Sequence, residues 1–191
     1  MVGQLPHPGQ QHQRGSSMVE VLVTFVIVAV GLLGLAGLQV RLQSAQLESY
    51  QRSQALLLLG DMANRMAINR NHVADYVTTA ANPLGAGMTC PANAATLAQR
   101  DAGEWCNALQ GAAETSAAGG SKVGAMIGGR GCVEALGSDY LLTVVWQGVV
   151  PVSAPPESLA CGKDGYNASS GACRNDLCRR AVTTVLRIAP S

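Results

Sequence analysis

Charge is scarce in this chain. Of 191 residues only 13% are Asp, Glu, Lys or Arg, about half the share of an ordinary globular protein. The signs almost cancel, at 13 basic against 12 acidic side chains, a net charge of +1. No basic stripe is available for a nucleic-acid backbone, so nucleic acid is not an expected partner. No charged tail is present either, and with 48% hydrophobic residues a disordered, charge-driven protein is excluded. Aromatics are only 4%, and Phe25 is the sole phenylalanine. Any core must therefore be filled by Leu, Val, Ala and Met. Histidine is equally sparse. His7 and His12 precede the main apolar stretch, which leaves His72 alone for the body of the chain. A His-based catalytic triad or a His-rich metal site is hard to build from that. No CxxC occurs, and no nucleophile stands at a supporting spacing from a base. No cofactor, metal or catalytic residue is expected, and the chain is read as a non-enzyme.

The apolar residues that are present are concentrated. Val21 to Leu38 is a run of 18 residues with no charge and one polar side chain, Thr24. At 1.5 Å per residue such a helix nearly crosses a hydrocarbon layer of ~30 Å. No comparable run follows, so the expectation is a single membrane pass. Residues 1–15, MVGQLPHPGQQHQRG, carry prolines, glycines and glutamines, one firm positive charge (Arg14) and no apolar periodicity. They read as a targeting leader.

Glu20 is the informative residue. It stands between Val19 and Val21 at the mouth of the apolar run. A carboxylate drawn toward hydrocarbon costs roughly 2.5–3.5 kcal/mol even on a lenient insertion scale, so it needs a partner. Cleavage after Gly15 would make Ser16 the first residue and Glu20 the fifth. The new α-amino group would then lie one helical turn from the carboxylate, or within reach of a neighbouring subunit's carboxylate. Two plainer readings compete: a secretory signal cut near Gly34-Leu35-Ala36, and an unprocessed anchor. The length of the run, the acid at its start and the meagre charge before it oppose the first.

The string Arg14-Gly15-Ser16-Ser17-Met18-Val19-Glu20-Val21-Leu22-Val23 resembles the class III leader of type IV pilins and type II secretion pseudopilins. One position departs from the pattern: Ser16 stands where the family usually has Phe or another bulky apolar residue. The resemblance implies cleavage after Gly15 by a prepilin peptidase, N-methylation of Ser16, and pairing of Glu20 with the N-terminus of an adjacent subunit. The run Gly31-Leu32-Leu33-Gly34-Leu35-Ala36-Gly37-Leu38-Gln39 is similar to minor pilins called type IV pilus modification protein PilV. So, more moderately, are Asp101 to Leu109, Tyr140 to Gly148 and Arg179-Arg180. That implies a structural subunit for pilus assembly or priming, twitching motility and adhesion. Its partners would be other minor pilins and the major pilin. It would sit in the bacterial inner membrane before assembly and in the pilus afterwards, its head periplasmic or extracellular. The alternative is a pseudopilin of a type II secretion system.

Residues 39–70 lack proline and are rich in Leu, Gln, Ala, Met and Arg, all good helix formers. One helix from about Ser17 to about Asn69 is expected, some 80 Å long. Leu38, Leu42 and Ala45, then Leu56, Leu59, Ala63 and Met66, are assigned to its apolar face. Arg41, Glu48, Arg52, Asp61 and Arg65 are assigned to the wet face, with Asp61 and Arg65 as an i, i+4 pair. Gly31, Gly34 and Gly37 would permit close helix approach or loosen the helix. The division expected is a leader (1–15), a long helix (16–70, transmembrane over 21–38) and a head (71–191).

In the head, residues 95–111 read as a helix with Ala98, Trp105 and Leu109 on one face. Residues 132–148 read as a hairpin, residues 181–188 as a closing strand, and residues 148–180 mostly as loop. Arg179-Arg180 reads as a solvated start to that last strand. All six cysteines, Cys90, Cys106, Cys132, Cys161, Cys173 and Cys178, fall in the head, and an even count in a translocated domain points to disulfides. Cys90 with Cys106 is expected as a local closure worth ~3 kcal/mol on the chain-entropy model. The C-terminal cysteines are expected to pair among themselves or with Cys132. Gly119-Gly120-Ser121-Lys122 lacks the order of a phosphate loop and reads as a flexible loop. Asn167-Ala168-Ser169 matches a glycosylation sequon only by its three letters. The fold class expected is α+β: a pilin-like long N-terminal helix packed on a small, disulfide-rich antiparallel β head.

Overall fold

The computed structural model describes residues 16–112, 116, 122, 124 and 126–188. Two compact units divide it, one ending at Gln43 and the other starting at Ser44. The division falls inside the first helix, because the later part of that helix is built into the head's core.

Helix α1 runs Ser16–Ile68, 53 residues. Its part in the first unit has no buried side chain among those described. In the second unit the helix becomes one-sided. Gln51, Ala55, Leu59, Met62 and Met66 are buried, spaced by four, four, three and four residues, which keeps them on one face. Leu56, placed on that face by the sequence reading, is half-exposed instead, and Leu38 and Leu42 are exposed. The stripe is set by Ala55 and Gln51, and Leu56 lies ~100° around the helix from Ala55.

A short 3-10 helix, Arg70–Tyr76, follows and buries Val73 and Tyr76. Strand β1 is only Leu84–Gly85. Helix α2, Leu97–Leu109, is launched by a capping box: Thr96 Oγ1 accepts from the Gln99 backbone N–H at 3.2 Å, and Gln99 Oε1 accepts from the Thr96 N–H at 3.3 Å. Strands β2 (Arg130–Leu136), β3 (Asp139–Gln147) and β4 (Arg179–Arg187) complete an antiparallel sheet in the order β1-β2-β3-β4. Leu136 pairs with Asp139, so β2 and β3 are joined by two residues, the first being Gly137 at φ +63°.

One face of the sheet carries Val133, Leu142, Val144 and Trp146 into a core with the buried stripe of α1 and with Ala98, Trp105 and Leu109 of α2. Trp105 is the centre of this core. It is fully buried, its indole N–H donates to the Leu58 carbonyl of α1 at 2.8 Å, and its ring lies on Gly131 of β2. A methyl group at Gly131 would come within 2.1 Å of that ring, so glycine is required there. The opposite face is covered near β2 and β3 by the 159–178 segment, with Cys132, Val145, Cys161 and Tyr166 in a second, smaller cluster.

Three disulfides hold these parts: Cys90–Cys106, Cys132–Cys161 and Cys173–Cys178. The first ties the loop before α2 to α2 itself. The second ties the covering segment to the sheet. The third closes a five-residue step just before β4. The arrangement is the α+β class expected from the sequence: a long apolar N-terminal helix, a four-stranded antiparallel sheet and disulfide staples.

Candidate functional site

The first unit is chemically simple. Thr24, the one polar side chain in the apolar run, donates its hydroxyl to the Val21 carbonyl at 2.8 Å, so its polar group is satisfied inside the helix. Around it the apolar side chains stand exposed, Phe25 at 68% and Leu33 at 74%. Among the described residues one helix is long and apolar enough to cross a membrane, and this is its apolar part. A Cβ added at Gly31, Gly34 or Gly37 would meet nothing within 4 Å.

Glu20 is exposed and has no partner among the described residues. Ser16 and Glu20 both lie in α1, four residues apart and so on one face, one turn from each other. The backbone N–H groups of a helix's first turn carry partial positive charge, which favours an anion there. Gly15, Arg14 and the rest of the expected leader lie outside the described residues.

The second unit places its charged groups differently from the sequence reading. Arg65, assigned to the wet face, is drawn onto α2. It contacts Asp101 at 2.9 Å and Glu104 at 2.6 Å while keeping Asp61 at 3.0 Å. Burial opposes the charge on Arg65, but Glu104, Asp101 and Asp61 outweigh it and push the guanidinium pKa up. Asp101 is also the acceptor of the Tyr76 hydroxyl.

Arg179 and Arg180 are not a solvated pair, and this corrects the sequence reading. Arg179 is 1% exposed and donates to the carbonyls of Leu159 at 2.7 Å and Cys161 at 2.9 Å. Asp176 Oδ2 lies 3.0 Å from its Nε as a charge partner, off the line of a hydrogen bond. Arg180 reaches Glu48 of α1 at 3.1 Å and the Val150 carbonyl at 2.6 Å. Both arginines fasten the covering loop and α1 to β4. The partners lie up to 132 residues away in sequence, which no local pattern reveals. Lys122 donates to Asn107 and Gln110 of the α2 region at 2.8 and 2.7 Å, a tether for the glycine-rich stretch. Residues 119–121 of that stretch lie outside the described residues. Asn167 uses its amide inside the loop, donating to Asp164 Oδ1 at 2.9 Å and accepting from the Asp176 N–H at 2.8 Å.

What the geometry offers in the first unit is one carboxylate on an exposed apolar helix. In the second it offers a tightly fastened head. Two family models match adjoining parts of the chain. The model of the prokaryotic N-terminal methylation motif matches residues 10–36. The family model described as type IV pilin Tt1218 matches residues 37–113. No curated protein and no solved structure matches the chain. Residues 10–36 are thus similar to an N-terminal methylation motif and residues 37–113 to a type IV pilin domain, the two matches adjoining.

Proposed function

We propose that the chain is a minor pilin, a non-enzymatic structural subunit that takes part in assembling or priming a type IV pilus, in the manner of PilV-like subunits. Prepilin peptidase removes residues 1–15, cutting after Gly15, and Ser16 becomes the N-methylated first residue. The apolar part of α1 holds the subunit in the inner membrane until it joins the filament, and the head faces the periplasm or the exterior. Its assembly partners are the major pilin and other minor pilins. The observation that carries the reading is Glu20, a carboxylate without a partner among the described residues, one helical turn from Ser16 on a helix of membrane length. Cleavage supplies the missing cation, because a freed α-amino group is protonated near neutral pH. An amine and a carboxylate from adjacent subunits can then meet in a low-dielectric bundle, where a charge-assisted hydrogen bond is about twice as strong as a neutral one. Loss of Arg14 with the leader leaves a subunit of zero net charge, which suits close packing among copies.

The test is the N-terminal mass of the chain purified from cells with and without prepilin peptidase. With the enzyme, the chain should begin at Ser16 carrying one methyl group; a chain still beginning at Met1 would overturn the reading. In the same cells Glu20→Ala should insert in the membrane normally yet enter fibres at least about tenfold less, the scale of one charge-assisted hydrogen bond of ~1.5 kcal/mol. Loss of exoprotein secretion on gene deletion, with pili intact, would instead assign the subunit to a type II secretion system.

A further inference from the structure

A cavity of about 400 Å³ opens in the second unit between the 80–88 segment and the turn at Gly162–Gly165. Among the described residues its charged lining is Arg130 and Lys163, with no Asp or Glu. We infer that this cavity is an oxyanion-binding site, taking a carboxylate or phosphate group on Arg130 and Lys163.

Arg130 is held as a receptor group would be. Its Nε donates to the Ala86 carbonyl at 3.1 Å and its Nη1 to the Gly165 carbonyl at 3.2 Å. The guanidinium lies over the Tyr166 ring, 4.9 Å from the centroid. The Tyr166 hydroxyl is anchored in turn on the Gly128 carbonyl at 2.8 Å. Gly165 is needed for this seating, since a Cβ there would fall 2.3 Å from Nη1. These contacts use Nε and Nη1, the guanidinium also lies within electrostatic and hydrogen-bonding reach of the Tyr166 hydroxyl, and Nη2 is the nitrogen nearest Gly87. The position of a Cβ on Gly87 would lie 3.7 Å from Nη2, so glycine leaves that approach uncovered.

Lys163 is exposed, and its ammonium has no partner among the described residues. The acids nearest in sequence are engaged: Asp164 accepts from the Asn167 amide at 2.9 Å, and Asp176 accepts from the Asp164 N–H at 2.9 Å while facing Arg179 at 3.0 Å. Asp176 is balanced by Arg179, Asp164 keeps its charge on the turn beside Lys163, and the two charged side chains on the cavity wall among the described residues are both cations. A guanidinium already fixed by a ring and two carbonyls loses little freedom on binding, which favours a planar or tetrahedral oxyanion. Ala80, Ala81, Pro83 and Met88 supply small apolar walls beside the charged end, with room for a sugar ring bearing an acid as well as for free phosphate.

Titration calorimetry on the full chain in uncharged detergent, at low ionic strength, decides the matter. The probes are glucuronate, glucose and inorganic phosphate. Saturable binding of glucuronate or phosphate, none of glucose, and weakening as NaCl is raised are expected. Glucuronate alone identifies an acidic sugar as the source, and phosphate alone identifies a phosphoryl group. Lys163→Gln, an exposed change that spares the fold, should weaken binding about three- to tenfold. Arg130→Lys keeps the charge but loses the fork and should weaken it further, provided its tryptophan fluorescence matches the parent; if it unfolds, Lys163→Gln decides alone. Absence of binding by both anions, or binding unchanged in Lys163→Gln, would overturn the assignment. The result does not depend on the pilin reading.

Discussion

The two parts of α1 share a backbone and differ in what their side chains meet. Between Val21 and Leu38 the large apolar residues are all more than half exposed, with nothing among the described residues to cover them. Between Gln51 and Met66 one face is buried to within a few per cent, while Leu56 and Leu57 beside it stand exposed. A fully buried Leu or Val gains ~1.5–3 kcal/mol over one left in water. The second part collects that gain inside its own head. The first part cannot, and its complement must come from lipid or from other helices. A helix apolar on every side is an assembly element, and a helix apolar on one side is a folding element.

Six substitutions sharpen or break this contrast. Both tryptophans, Trp105 and Trp146, lie in the second unit, so urea unfolding followed by tryptophan fluorescence reports on the head alone. Trp105→Ala should show the largest effect. It removes a fully buried ring and its hydrogen bond to the Leu58 carbonyl, a loss of ~3–5 kcal/mol read from the remaining Trp146 signal. A loss below ~1 kcal/mol would mean that α1 does not depend on α2 for its place in the core.

Leu59→Ala and Leu33→Ala make the direct comparison. Leu59 is 5% exposed and should cost ~2–4 kcal/mol; Leu33, at 74%, should leave the same transition unmoved. Equal effects would erase the distinction between the two parts.

Tyr76 probes the polar rim of the folding part. Burial, and then its hydrogen bond to Asp101, pushes its hydroxyl pKa from 10.0 up to about 12. The folded chain thus keeps a proton that the unfolded chain releases first. The stability this contributes is complete below pH 10 and is lost as pH rises through 12. Tyr76→Phe should flatten the fall in unfolding midpoint between pH 10 and 12 and cost ~1 kcal/mol at neutral pH. An unchanged slope would place the alkaline loss elsewhere.

The sequence carried the features that are continuous along the chain. The span of α1 was legible from a proline-free stretch, the hairpin from β-branched density at Thr143-Val144-Val145, and α2 from the spacing of Ala98, Trp105 and Leu109. Glu20 was legible because a charge beside an apolar run needs an explanation at once. What depended on distant partners was not. Arg179 looked wet because nothing near it in sequence contains the carbonyls of Leu159 and Cys161 in the right place. Gln51 is buried in the stripe of α1, where its Oε1 takes the Ile127 N–H at 3.4 Å, and no helical pattern selects a glutamine for such a place. Arg130 needed Tyr166 and Gly165, 35 or 36 positions further on. β1 is two residues long, too short for any alternation to show.

Leu56 is where helical spacing and the structure disagree most simply, and it gives the smallest expected effect. An i, i+3, i+4 ladder can be started at Leu56 and climbed through Leu59, Ala63 and Met66, or at Gln51 and climbed through Ala55, Leu59, Met62 and Met66. Both ladders share Leu59 and Met66, so apolarity alone cannot choose, and it favours the wrong one because Gln51 is polar. The head chooses the second, since Ala55 has the small side chain that close approach requires and Leu56 is left 50% exposed. Leu56→Gln should therefore shift the unfolding free energy by less than ~0.5 kcal/mol, as surface changes do. Leu59→Gln, three residues on, would bury an amide without a partner and should cost several times more. If Leu56→Gln instead destabilised the head as Leu59→Gln does, the buried stripe would be wider than one face, and the contrast between the two parts of α1 would shrink to a gradient.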